Sequence, residues 1–180
     1  VPENGTIVVA GAYKGRYLHY LSEMFPTAWL YGYEPQKEAF MEAKSRLGDK
    51  AHLFNKGLST SERMAAVGSY GTDGCSALSN KGARNILEMF DAVEALDVSI
   101  LAFRVSIDLL ILNCEGSEWA LIPYLMIEMM HHRIASMAIQ FHPEYVSPQR
   151  AARVRDYLSE YYSKTYEDTN NWTYWKRDTA

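Results

Sequence analysis

At 180 residues, 48% of them hydrophobic and 22% charged, the chain suits one domain with a sizeable core and has an ordinary globular composition. A formal net charge of -4 with no basic run argues against nucleic acid as the main partner. No stretch approaches the ~18 uninterrupted apolar residues of a membrane span, and two cysteines, Cys75 and Cys114, are too few for a disulfide framework and suit a reducing, cytoplasmic setting.

The chain opens at Val1 rather than Met, so a preceding segment is expected to have been trimmed. Thr6 to Ala10 is β-branched and apolar and is predicted to be a first strand covered on both faces. Gly11 follows, free to adopt backbone conformations closed to other residues, and its missing side chain would admit a ligand. Lys14 to Phe25 is predicted as the first helix, with Tyr17, Leu18, Leu21, Met24 and Phe25 at helical spacing and Pro26 as its stop. Ala28 to Tyr33 is the second strand and ends in Glu34-Pro35. Pro35 suits the first turn of a second helix, which runs through Phe40, Ala43 and Leu47 to Gly48. Ala51 to Asn55 is a short third strand, followed by Lys56-Gly57-Leu58-Ser59. Arg63 to Val67 reads as a hairpin on the outside of the sheet, and Gly68 to Asn80 as a mobile loop near the ligand. Ala83 to Phe103 is ambiguous: part helix, with Val93 to Leu96 as a candidate edge strand.

Ile107 to Asn113 is apolar nearly throughout and is read as a central fourth strand. Cys114-Glu115-Gly116-Ser117-Glu118 turns into a helix reaching about Met130. The fifth strand, Ala135 to Phe141, ends at His142-Pro143. A helix from Pro148 to Tyr162 is expected to turn Ala152, Val154, Tyr157, Leu158 and Tyr161 inward. Two extended pieces close the chain, Lys164 to Glu167 and Trp172 to Lys176. Strands alternating with helices before a closing hairpin imply an α/β sheet, parallel except at its end.

The strand, glycine turn and helix start at Thr6 to Tyr17 would aim free helix N–H groups at a ligand. Glu34, at the end of the next strand, suits a ribose diol, because a carboxylate accepts two hydroxyl hydrogen bonds. A dinucleotide fingerprint would need three glycines, but Tyr13 holds the middle position; a triphosphate loop is absent. The spacing Gly11-x-x-x-Gly15 suits a nucleoside ligand without a pyrophosphate, such as S-adenosylmethionine.

Val8 to Gly15, Tyr33-Glu34-Pro35, Asn55 to Ser59 and Ile107 to Glu118 together resemble the FkbM-type methyltransferases, of the class I S-adenosylmethionine-dependent fold. The resemblance spans roughly Thr6 to His142. It implies a Rossmann-like, mostly parallel sheet in the order 3-2-1-4-5-7-6 and methyl transfer to a hydroxyl of a sugar or other small molecule. By position, Gly11, Ala12, Tyr13 and Gly15 would line the methionine part of the cofactor, and Glu34-Pro35 the ribose. Lys56, Gly57 and Leu58 would lie near the adenine, and Asn113, Glu115 and Glu118 at the pocket mouth. Two cofactor positions depart from the family pattern. Ala10 stands where an acidic residue is usual and cannot bond the cofactor's ammonium. Asn113 stands for an aspartate and keeps an acceptor without its charge.

A hydroxyl acceptor needs a base. His142, with an ordinary pKa of about 6.5, is placed for that work at the end of strand five; the alternative is that it caps a strand end beside Pro143. Glu115 and Glu118 are further catalytic candidates, or else helix N-terminal charges contributing about 0.3–1 kcal/mol. No cluster has metal-ligand spacing. Cys114 reads as a buried structural thiol and the tail aromatics as core. Two readings stay open: an O-methyltransferase, or a catalytically weak binding module of the same fold.

Overall fold

Thr6–Ala10 forms β1, buried at all of its positions, in a computed structural model that describes residues 1–67, 85–101 and 106–178. After it come α1 (Arg16–Met24), β2 (Trp29–Tyr33), α2 (Lys37–Leu47), β3 (His52–Phe54), β4 (Gly57–Ser59), β5 (Arg63–Val67) and β6 (Asn85–Asp91). The second half holds α3 (Ala92–Leu101), β7 (Leu109–Leu112), α4 (Glu118–Ile127), β8 (Ser136–Gln140), α5 (Pro148–Ser159), β9 (Tyr162–Glu167) and β10 (Trp172–Arg177).

Seven strands make one sheet in the order β3-β2-β1-β7-β8-β10-β9. Numbered within that sheet alone, the order is 3-2-1-4-5-7-6, as the resemblance implies. All pairings are parallel except those of β10, which runs antiparallel to β8 and β9. Strand alternation sorts β1 into two layers. Ile7 and Val9 pack with Leu18, Leu21 and Leu47 beneath α1 and α2. Val8 and Ala10 pack with Leu96, Trp119 and Leu158 beneath α3, α4 and α5. Because β2 and β7 flank β1 on opposite sides, the chain reverses its winding there and leaves a crevice at the carboxyl ends of the strands.

The sequence expectations need correction at several places. Helix α1 begins two residues later than Lys14, because Gly15 holds a left-handed φ of 73° just before it; Tyr17 and Met24 are exposed. Pro35 lies outside α2, which is capped at Gln36. Arg63 to Val67 belongs to a separate three-stranded sheet, β4-β6-β5, in which β6 runs parallel to β4 and antiparallel to β5. Val93 to Leu96 is helix, not edge strand. The Asp91 carboxylate accepts the N–H groups of Val93 (2.9 Å) and Glu94 (3.3 Å) and so starts α3 at the end of β6. Helix α4 stops at Ile127, short of Met130, where Met129 takes a left-handed φ of 57°. Ala152 of α5 is exposed, whereas Val154 and Leu158 are buried. The expected loop at 68–80 lies outside the described residues. Among the described residues no helix is long and apolar enough to cross a membrane.

Candidate functional site

A cavity of about 530 Å³ opens at that crevice, with Gly11, Tyr13, Glu34, Leu58, Asn113 and Glu115 among its walls. Ala12, Pro35 and Gly57 line it too. Of the residues expected at the site, Ala10, Gly15, Lys56, Glu118 and His142 stay out of the wall formed by the described residues.

The glycine turn is built by contact with β7. Gly11 has a φ of +82°, and a Cβ there would lie 1.8 Å from the Asn113 carbonyl oxygen. Its missing side chain thus makes room for the protein's own backbone rather than for a ligand. Gly15 serves the approach of two helices, since a Cβ would sit 2.9 Å from Ala43 of α2. Ala10 shares the α3–α5 layer with Val8 and is turned away from the cavity by strand alternation. Lys56 is directed to the far side of the small sheet, its ammonium 3.8 Å from the Phe90 ring centroid and 3.5 Å from Glu88.

Glu34 ties the turn to the next helix. Its Oε2 accepts the Tyr13 N–H at 2.7 Å and its Oε1 accepts the Gln36 N–H at 2.8 Å. Burial pushes the carboxyl up to about 7, and the donors from Gln36 and Tyr13 oppose that rise. Asn113, at the end of β7, carries a buried side-chain oxygen with no hydrogen-bond partner among the described residues. An acceptor left unpaired in a cavity wall is a place for a ligand's donor. Cys114 lines the cavity, and burial first, then the Glu118 charge, hold its thiol well above its usual pKa, which disfavours the thiolate that a nucleophile needs.

His142, Glu115 and Glu118 form one cluster. His142 Nδ1 lies 2.9 Å from Glu118 Oε1, and Nε2 lies 3.2 Å from Glu115 Oε1. Glu118 is fully buried and also accepts the backbone N–H groups of His142 (2.8 Å) and Gly116 (3.0 Å). Burial disfavours the imidazolium, but the hydrogen bonds to Glu115 and Glu118 outweigh it and push His142 up to about 10. Both ring nitrogens face a carboxylate within 3.2 Å, so neither is directed at the cavity to take a proton, and the geometry does not suit His142 to the expected base role.

Sequence reasoning missed other parts of the wall. Leu87 and Met89 of β6 alternate with exposed Ile86 and Glu88, a period-two signal within the stretch read as ambiguous. Gln140 and Trp172 are cross-strand partners of β8 and β10, and Trp172 stacks on Tyr17 with ring centroids 6.1 Å apart. Of the tail aromatics read as core, Tyr162 and Trp175 lie there, Trp172 packs half-buried against the α1–α2 layer while it lines the cavity, and Tyr166 is exposed.

The chain superposes on solved structures across nearly its whole length. One is a fibrillarin pre-rRNA processing protein from Methanococcus jannaschii, at TM-score 0.59 and 9% identity, with 99% of this chain covering 68% of that one. Another is a precorrin-6y C5,15-methyltransferase from Geobacter metallireducens, at 0.55 and 10%, with 100% of this chain covering 82% of that one. The fold is that of the Rossmann-like methyltransferases. TrmK from M. capricolum, in complex with the natural cofactor product S-adenosylhomocysteine, shares it at 0.51 and 13%, with coverages of 99% and 65%. At these identities the likeness is one of fold. No protein-family model matches the sequence, and no curated protein does.

Proposed function

We propose that the chain is an S-adenosylmethionine-dependent methyltransferase that methylates a hydroxyl of a sugar or other small molecule in the cytoplasm. The observation that carries the proposal is the buried Glu34 carboxyl at the end of β2, facing a cavity at the carboxyl edge of this methyltransferase fold. The residues present fit the cofactor. The cavity lies within the roughly 300–1,000 Å³ of small-molecule sites. Glu34 would accept the ribose hydroxyls. Pro35, Leu58, Leu87 and Met89 would form an apolar slot for a planar base. The unpartnered Asn113 oxygen would take a donor from the amino-acid end. When bound, the cofactor supplies an activated methyl group, so the chain's tasks are to place the acceptor and receive its proton. The resemblance to FkbM-type enzymes supports a hydroxyl acceptor over other nucleophiles.

The second reading, a catalytically weak binding module, is favoured by Ala10: its side chain lies in the core, and the ammonium would meet no carboxylate there. Calorimetry with S-adenosylhomocysteine, followed by labelled-methyl transfer to a panel of methyl glycosides and phenols, separates the two. Binding with transfer supports the enzyme; no binding, or binding without transfer, supports the module.

A further inference from the structure

The Glu118–His142–Glu115 cluster joins two segments, the turn after β7 and the end of β8, that meet only in the folded chain. Glu118 is the first residue of α4 and is fully buried, where a carboxylate needs strong partners. Its oxygens accept from the Gly116 N–H, the His142 N–H and the imidazole. On the other side of the ring stands Glu115, which lines the cavity. The backbone that aims Glu115 is itself unusual. Glu115 has a φ of 49° and Gly116 a φ of 99°, and a Cβ on Gly116 would lie 2.7 Å from the Tyr145 ring. A non-glycine residue in the left-handed region persists where its surroundings hold it, and such residues concentrate at functional sites. The groups facing His142 are Glu115 and Glu118 from the turn and helix after β7, and Tyr145 from its own turn, with ring centroids 6.4 Å apart. From α5, Arg155 sits over the neighbouring Phe141 and Trp119 rings, at 4.9 and 6.0 Å.

We infer that His142 is a positioning residue: bridging buried Glu118 and cavity-lining Glu115, it holds the Glu115 carboxylate in the wall as the group that takes the acceptor's proton. This rests on the methyl-transfer reading above. In that step the acceptor's O–H bond breaks, its proton passes to Glu115, and its electron pair forms the new O–C bond. The pair of the old S–C bond stays with the cofactor's sulfur. One imidazolium between two carboxylates leaves a single net negative charge, and Glu115 is the member that presents it to the cavity.

The first test needs no acceptor. Nitrogen NMR of wild-type protein should show His142 protonated on both ring nitrogens at about pH 8.5, well above the ordinary histidine range; a neutral ring there overturns the inference. In a crystal structure of His142→Ala the Glu115 carboxyl should leave the place in the cavity wall where the imidazole now holds it. An unmoved carboxyl also overturns it. On any hydroxyl compound that the wild type methylates, Glu115→Gln should lower kcat by about 10²–10⁴-fold at saturating cofactor. His142→Gln should lower kcat while leaving the acceptor KM and the cofactor Kd near wild type; a loss of cofactor binding together with kcat would mark a merely structural role. If S-adenosylhomocysteine does not bind wild-type protein, the methyl-transfer reading falls, while the NMR and crystallographic readings still decide whether the cluster is arranged as described.

Discussion

At the scale of single residues, Glu34 and Gly11 show how one position can serve both fold and site. Burial lifts Glu34 from 4.5 to about 7, opposed by the Gln36 and Tyr13 N–H donors. The folded chain therefore binds this proton more readily than the unfolded chain does. The resulting stability is fully present below about pH 4.5 and is lost as pH rises through about 7. Glu34→Gln cannot ionise, so its denaturation curves should lose that slope; a slope equal to wild type would mean that Glu34 titrates at its ordinary value. The same variant should weaken S-adenosylhomocysteine by on the order of 1–3 kcal/mol in calorimetry, the usual scale for a lost charged hydrogen bond. Gly11→Ala tests the turn. Its Cβ would meet the Asn113 carbonyl at 1.8 Å with φ at +82°, and backbone cannot yield as a side chain can. The expected cost is about 3 kcal/mol or more in chemical denaturation. A variant of wild-type stability would show that β7 does not pass so close. The sequence marks Gly11 and Gly15 as special but not why, because a ligand-cradling turn, a close backbone crossing and a left-handed helix cap all select glycine.

At the scale of elements, legibility followed burial and length. β1 and β7 are apolar runs covered on both faces, and that pattern is visible in Ile7-Val8-Val9 and Leu109-Leu110-Ile111-Leu112 without any partner in view. β6 and α3 were not separable, because Asn85 to Leu101 carries apolar residues at both strand and helix spacing and has no glycine or proline between the two elements. Asp91 decides the boundary. Its carboxylate caps α3 and also accepts the Tyr124 hydroxyl of α4 at 2.6 Å, which holds that phenol up at about 12. Asp91→Ala should cost about 1–3 kcal/mol in thermal or chemical denaturation, combining a lost cap with a lost side-chain bond. Tyr124 should then ionise nearer to 10, as read by NMR titration. A phenol still titrating near its wild-type midpoint would mean that Asp91 is not its partner. The Glu118–His142 contact was beyond reach for a different reason: the residues are 24 apart, and their meeting depends on β7 and β8 lying side by side.

At the scale of the molecule, the site joins two sheets that share no strand. The main sheet contributes Glu34 beyond β2, Asn113 beyond β7 and Trp172 on β10; the small sheet contributes Leu58 from β4 with Leu87 and Met89 from β6. The seven-stranded sheet has two buried layers of its own and can keep its order without a ligand. The small sheet has only three strands, and its outer face leaves Met64 62% and Ile86 64% exposed. Elements with few buried apolar contacts open at lower free energy than core strands. A nucleoside ligand lodged between Leu58, Leu87 and Met89 and the end of β2 would therefore add its binding energy to the less stable sheet. At a hundredfold excess over Kd, S-adenosylhomocysteine should stabilise the fold by about 2.7 kcal/mol, raising Tm by roughly 5–10 °C for a chain of this size. Amide exchange should slow most in β4 and β6 and least in β1 and β7, whose protection is already set by the main core. Equal slowing in every strand would place the ligand's effect on global stability alone. Slowing confined to α5, β9 and β10 would put the ligand somewhere other than this cavity.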